Sequence, residues 1–179
     1  MARKDKGIIH RPLSLHWYAL RTRPRCEKTV AEMLESQSTE YFLPLQRCRH
    51  TWKDGAQTDV DLPLFPCYIF VRISKYDRTQ LLQTPGVLGF AEACGRPRAI
   101  PDHEVALLRN ASLNFKAELH PCVHGGDRVR IVSGPLRGAV GILTQFEKSY
   151  RVVLRVEAIL RSVAVAVGES EIEPAEMQT

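Results

Sequence analysis

The stretch Leu62-Pro63-Leu64-Phe65-Pro66-Cys67-Tyr68-Ile69-Phe70-Val71-Arg72-Ile73 decides how this chain folds. Two prolines, which cannot donate to a strand ladder, brake its entry, so a strand is predicted to begin near Cys67. From there side chains alternate across the pleat. Cys67, Ile69, Val71 and Ile73 take one side; Tyr68, Phe70 and Arg72 take the other. A strand exposed on one face alternates apolar with polar. This one is apolar or aromatic on both sides, the pattern of a central strand covered on both faces. One cover is the protein's own core. The cover over Tyr68 and Phe70 is either more of that core or something outside the chain.

Upstream, His16–Thr22 reads as a strand with two aromatics, and Pro24 leads into a helix over Arg25–Gln37. Cys26, Val30, Met33 and Leu34 form its apolar stripe. Its other side is an ordinary solvated face, with Lys28 and Glu32 at i,i+4 spacing. Arg23 and Arg25 sit at its N-terminus, where the macrodipole disfavours cations by roughly 0.3–1 kcal/mol. An external anion approaching that end would account for them. Tyr41–Trp52 and Gln57–Pro63 flank an Asp54-Gly55 hairpin signal, and Arg47, Arg49 and Lys53 share one face of the first arm. Downstream come a short helix over Tyr76–Gln83, a strand at Val87–Ala93 and a helix over His103–Ser112 with Asp102 as N-cap. That last helix is apolar on more than one side, at Val105, Leu107, Leu108 and Ala111. The order β-α-β-β-β-α-β-α predicts an α+β domain, an antiparallel sheet flanked by helices, over residues 15–113. Residues 114–124 read as a linker. From 125 to 175, Val/Ile runs at Asp127–Val132, Ala139–Phe146, Arg151–Val156 and Ile159–Val167, separated by glycine turns, predict a small all-β barrel.

Lys plus Arg exceed Asp plus Glu, 25 against 20, and the excess is uneven. Residues 1–60 carry 11 bases and 7 acids, residues 124–168 carry 7 and 3, and Glu169–Thr179 has four glutamates and no base. Two basic regions suit a polyanion, although a modest excess also serves solubility. Five cysteines without a C-x-x-C pair make a disulfide framework unexpected and a reducing cytoplasm the default location. No apolar run approaches the ~18–20 residues of a membrane span. Residues 1–14 are basic without an apolar signal core and read as a disordered tail.

Two patterns then coincide. Trp17-Tyr18, the basic helix, Leu64-Phe65-Pro66-x-Tyr68-x-Phe70-Val71 and Thr84-Pro85-Gly86-Val87 resemble the N-terminal (NGN) domain of the NusG family of transcription elongation factors. Gly126-Asp127-x-Val129-x-Ile131-x-x-Gly134-Pro135-Leu136-x-Gly138-x-x-Gly141 resembles the KOW motif that follows it. The resemblance covers Leu15 to Pro174, and Pro63 before the Leu-Phe-Pro run is similar to the specialised paralogues, RfaH and the antiterminators of polysaccharide operons. The general factor usually has Gly where Cys67 stands.

The resemblance implies a bacterial transcription elongation or antitermination factor, not an enzyme, without cofactor or metal. It implies docking on the clamp helices of RNA polymerase through Phe65, Pro66, Tyr68, Phe70, Val105 and Leu108. Aromatics beside aliphatics make a groove for an amphipathic helix. It also implies contact with non-template DNA through Arg23, Arg25 and Lys28, with Arg47, Arg49 and Lys53 as further candidates. The Arg78-Thr79-Gln80 segment stands where paralogues touch the opposite polymerase pincer. Bridging both pincers would hold the clamp closed and suppress pausing or termination. The KOW unit would grip a small-subunit ribosomal protein or the Rho terminator with Ile159, Leu160 and Arg161. Loss of two aromatics there predicts a weak grip.

Two rival functions fit the residues less well. Catalysis by Cys67 lacks a His or Asp partner, and a thiol between aromatics is ordinary packing. His120-x-Cys122-x-His124 lacks a fourth metal ligand. The other rival, a ribosome-associated or RNA-binding KOW protein, leaves Trp17-Tyr18 and Leu64–Val71 unexplained. RfaH-like paralogues can fold the C-terminal unit as a helical hairpin over the docking face. Here Val152, Val153, Val156, Val163, Val165 and Val167 favour strand. The expectation is a constitutive barrel on a flexible linker, without autoinhibition, in a monomeric protein.

Overall fold

The computed structural model describes residues 14–51, 55, 57–93, 96–114, 118–120, 126–146 and 149–175. The N-terminal half runs β1 (His16–Thr22), α1 (Glu27–Ser36), β2 (Glu40–Phe42), β3 (Leu45–Thr51), β4 (Gln57–Pro63), β5 (Tyr68–Ile73), α2 (Arg78–Leu82), β6 (Val87–Phe90), β7 (Glu92–Ala93), β8 (Arg96–Pro97) and α3 (Asp102–Asn114). An antiparallel sheet in the order β2-β5-β1-β6 is its frame. β5 is interior, paired to β1 through six residue pairs from His16↔Ile73 to Arg21↔Tyr68. β3 and β4 form a separate hairpin. The arm expected as one strand from Tyr41 to Trp52 breaks at Leu43–Pro44, where proline interrupts the ladder.

The two-sided reading of β5 holds. Ile69, Val71 and Ile73 join Tyr18 and Leu20 against Val30, Ala31 and Leu34 of α1. Phe70, with Trp17 and Ala19, enters a second buried cluster on the opposite face. There Phe65 meets Phe70 edge-on at 6.0 Å, and Phe42 stacks on Phe70 at 6.0 Å. In α3, Asp102 stands inside the first turn rather than before it; the Pro101 carbonyl accepts from the Glu104 amide, and the Asp102 carboxylate turns to Arg72 at 3.6 Å.

The C-terminal half contains β9 (Glu118–His120), β10 (Arg128–Ile131), β11 (Val140–Phe146), β12 (Ser149–Val156), a 3-10 turn at Glu157–Ile159, β13 (Arg161–Val167), a second turn at Glu169–Glu171 and β14 (Ile172–Pro174). They form one antiparallel sheet in the order β14-β10-β11-β12-β13-β9. The expected valine strands are strands. Among the described residues the two outer strands do not pair with each other, so hydrogen bonding does not close the sheet into a barrel. Part of the expected linker belongs to this sheet: Ser162↔His120, Val163↔Leu119 and Ala164↔Glu118 are in register. Gly141 lets β11 cross β12 closely, since a Cβ there would lie 2.6 Å from both Val152 Cγ1 and the Val153 carbonyl. Among the described residues no helix is long and apolar enough to cross a membrane.

Cys67 is not the first residue of the strand. Its φ of 68° is left-handed, a conformation that costs an L-residue about 1–2 kcal/mol. The turn is held from both sides: the Cys67 amide donates to Glu27 Oε1 at 2.7 Å, and its carbonyl accepts from the Thr22 amide at 2.9 Å. Glu27 is thereby buried, and this carboxylate anchors the entry to β5. The geometry explains why glycine suits this position. We expect Cys67→Gly to match or exceed the native urea midpoint. Cys67→Val, β-branched at positive φ, is expected to fall roughly 1–2 kcal/mol below the glycine variant.

Candidate functional site

The docking residues implied by the resemblance come from three segments, and the fold brings them to one face. Phe65 and Phe70 (from the β4–β5 connection and β5) and Val105 and Leu108 (from α3) belong to one apolar cluster; Tyr68 packs half-buried on its edge. Pro66 is exposed beside them. Arg109 caps the rim, with its guanidinium 5.4 Å from the Trp17 ring and 5.2 Å from that of Phe42.

This face is not open. The same cluster continues into Val129, Ile131, Leu136, Ala139, Ala158 and Ile159 of the C-terminal half. Phe65 is 1% exposed, Phe70 0%, Val105 2% and Leu108 3%. The turn Glu157–Ile159 packs against β1 and β7. Polar contacts among the described residues pin the seam, among them Arg98 Nη2 to Glu157 Oε2 at 2.7 Å and Asn110 Nδ2 donating to the Pro135 carbonyl at 2.9 Å. The expected separation of the two units by a flexible linker is not what the structure shows: the C-terminal unit packs on this face. The unit keeps its β fold and covers, as a sheet, the face that the resemblance assigns to docking.

The KOW tip is divided by the same seam. Ile159 is 5% exposed and faces inward, whereas Leu160, at φ 51°, is 64% exposed and Arg161 is exposed beside it. Only Leu160 and Arg161 of the three expected partner residues are presented to solvent.

The cations also divide. Arg23, Arg25 and Lys28 are exposed at the start of α1, with Arg25 at φ 64°. Arg47 and Arg49 are not a free cationic face. Arg47 Nε lies 3.6 Å from Asp61, and Arg49 Nε lies 3.6 Å from Asp59, its cross-strand partner. The signal was available: the two arginines and two aspartates alternate at equal distances from the hairpin turn. Lys53 lies outside the described residues. Arg78 turns back over the Tyr18 ring at 4.5 Å, leaving Thr79 and Gln80 outward. Cys122 and His124 of the weighed metal set also lie outside the described residues, and no group of three or more potential ligands occurs among the described ones.

Glu104 faces a groove between α3 and the C-terminal sheet. Desolvation raises its pKa above the usual 4.5, opposed by nearby His103, with Glu157 adding to the rise and Arg98 lowering it.

An α+β domain with an apolar face, covered by an all-β unit carrying a KOW pattern, is the architecture of a two-part binding protein. The profile of the family described as "Transcription termination factor nusG" matches residues 15–109. A Thermus thermophilus relative, "Transcription termination/antitermination protein NusG", is 27% identical over 153 residues, 74% of this chain and 83% of that protein. A solved structure reporting domain interaction in Thermotoga maritima NusG superposes with a TM-score of 0.58 at 20% identity, over 90% of this chain and 98% of that one. The chain belongs to the NusG family of transcription termination and antitermination factors, whose members are not enzymes.

The raised Glu104 pKa has a definite sign. The protonated acid's contribution to stability is fully present below 4.5 and is lost as pH rises through the raised value. Glu104→Gln, which mimics the neutral form, is expected to melt higher than the native protein at pH 7. The gap should close as pH falls towards 4.5, as thermal melts across that range would record.

Proposed function

We propose that this protein is an elongation or antitermination factor that docks on the clamp helices of RNA polymerase through Phe65, Pro66, Tyr68, Phe70, Val105 and Leu108. It then contacts non-template DNA with Arg23, Arg25 and Lys28 and suppresses pausing or termination. Arg47 and Arg49, already neutralised by carboxylates, leave the DNA set. The C-terminal unit recruits a further partner, a small-subunit ribosomal protein or Rho, weakly and through Leu160 and Arg161. The protein acts as a monomer in the cytoplasm, where polymerase works.

One observation carries this reading: three separate segments supply a single continuous apolar face, and its cover is the chain's own C-terminal sheet. A seam whose described ion pair is half in water is a removable cover. Its ion pair joins side chains about half exposed, 51% and 52%, and exposed pairs are worth roughly 0–1 kcal/mol. The described arrangement is then the closed state, and polymerase competes with the C-terminal sheet for one surface.

Capture of the full-length chain by core polymerase tests both parts. Glu157→Arg combined with Asn110→Ala loosens the seam and should strengthen capture several-fold. Adding Tyr68→Ala and Leu108→Ala to that opened variant should abolish it while circular dichroism stays native-like. An opened variant that binds no better than wild type means that the cover is no mask. Retained capture without Tyr68 and Leu108 places docking elsewhere. Charge reversal at Arg23, Arg25 and Lys28 should weaken binding to elongation complexes and spare isolated clamp helices, and the loss should shrink as salt rises.

A further inference from the structure

Beside the apolar face the N-terminal sheet turns polar. Its register sets Glu40, Arg72 and Trp17 in one row across β2, β5 and β1, next to the row of Phe42, Phe70 and Ala19. The two rows lie about 7 Å apart along the strands. On α3, Asp102, Val105 and Arg109 recur three and four residues apart and share one stripe. That stripe meets the polar row, where Asp102 reaches Arg72 and Arg109 reaches the Trp17 ring. Row and stripe wall a pocket of about 310 Å3. Trp17 and Val105 belong both to it and to the covered apolar cluster. Its described walls all come from the N-terminal half, so the C-terminal sheet that hides Phe70 leaves this pocket open.

Of the charged side chains in its walls, Glu40, Arg72 and Asp102 have partners in one another. Arg72 lies between Glu40 at 3.5 Å and Asp102 at 3.6 Å. Arg109 is exposed, and the described ion pairs give it no carboxylate. The Trp17 and Phe42 rings, at 5.4 and 5.2 Å, order its guanidinium instead. A cation ordered in advance loses little side-chain freedom on binding, and its planar fork suits a carboxylate. We propose that this pocket is where polymerase first touches the closed protein. A carboxylate on the clamp helix engages Arg109, and the helix then spreads over Phe70 as the C-terminal sheet gives way. The step rests on the docking reading and adds to it the chemistry of the partner and the order of events. A protein carboxylate suits the site better than a nucleic-acid backbone. The adjoining row is apolar and accepts a helix, whereas successive phosphates would meet Glu40 and Asp102 at a like-charge cost. Replacement of the sheet from an edge already open needs no spontaneous parting of the seam beforehand.

Association of the full chain with core polymerase free of nucleic acid, followed by surface plasmon resonance, tests this. At low salt Arg109→Glu should slow association about tenfold and Arg109→Gln about threefold, with dissociation less affected. Both losses should shrink as salt rises. Arg109→Lys keeps the charge and should stay within about twofold of the native rate, which a misfolded protein would not do. In the chain opened by Glu157→Arg with Asn110→Ala, the helix reaches the apolar face directly, so the loss from Arg109→Glu should be several times smaller. Equal losses in the closed and opened chains overturn the proposal, since Arg109 would then be an ordinary rim contact. So does an unchanged rate for Arg109→Glu in the closed chain. Faster association of that variant overturns it too, because the partner group would be a cation. Should Arg109→Glu lose its native circular dichroism, Arg109→Gln against Arg109→Lys supplies the same comparison. Docking itself is read from the opened chain with Arg109 intact. If that chain does not bind, the docking reading fails and this step with it, a result distinct from any change at Arg109.

Discussion

The side of β5 that carries Tyr68 and Phe70 has to be covered, and most of the structure follows from how. On its opposite side the strand is settled by α1, where Ile69, Val71 and Ile73 meet Val30 and Leu34. That contact is local, built from neighbours in the same domain. The Phe70 side receives only part of its cover locally, from Phe65, Val105 and Leu108. The remainder comes from the C-terminal sheet, which begins only at Glu118. Apolar burial is non-directional, so such a face does not specify which apolar surface will cover it. Directional contacts must do that, and those described include Arg98 with Glu157 and Asn110 with the Pro135 carbonyl.

This division of labour separates a face that stays shut from one that opens. Were the seam held by fully buried ion pairs, separating the halves would leave charges stranded at several kcal/mol each. Here the charged pair is half in water already and loses little on separation. What does resist opening is the apolar area, and a partner offering equal apolar area can replace it. The Glu104 carboxylate works against closure, desolvated beside Glu157 and only partly compensated by His103 and Arg98. Closure is thus a balance of opposed terms, the condition under which a binding partner shifts a population.

Much of this was legible from the sequence. The β5 alternation predicted two covered faces, and the excess apolar surface of α3 predicted a surface wider than one small core requires. The identity of the cover was not legible, because a mask and a partner leave the same apolar signature at Phe70 and Leu108. Propensity argued correctly that the valine-rich segments are strands. It did not follow that they leave the face bare, since propensity concerns the local backbone and masking is a tertiary contact. The ion pairs of Arg47 and Arg49 were hidden for a related reason. Counted along one arm they are cations without an acid, but the hairpin register sets Asp61 and Asp59 opposite them. The left-handed turn at Cys67 was hidden because Cys gives no sign of positive φ, whereas glycine would have announced it.

The position of Ile159 links the two ends of the proposed function. It is buried against the N-terminal half while its neighbours Leu160 and Arg161 are exposed. A partner recognising the whole tip finds two of three side chains in the closed state and the third only after the seam parts. Such a partner binds the open form more tightly, and under the proposed function so does polymerase. Two ligands that favour one conformation favour each other by the same factor, whichever arrives first. The coupling needs no signal carried through the fold, because both surfaces are buried in one contact and are released together.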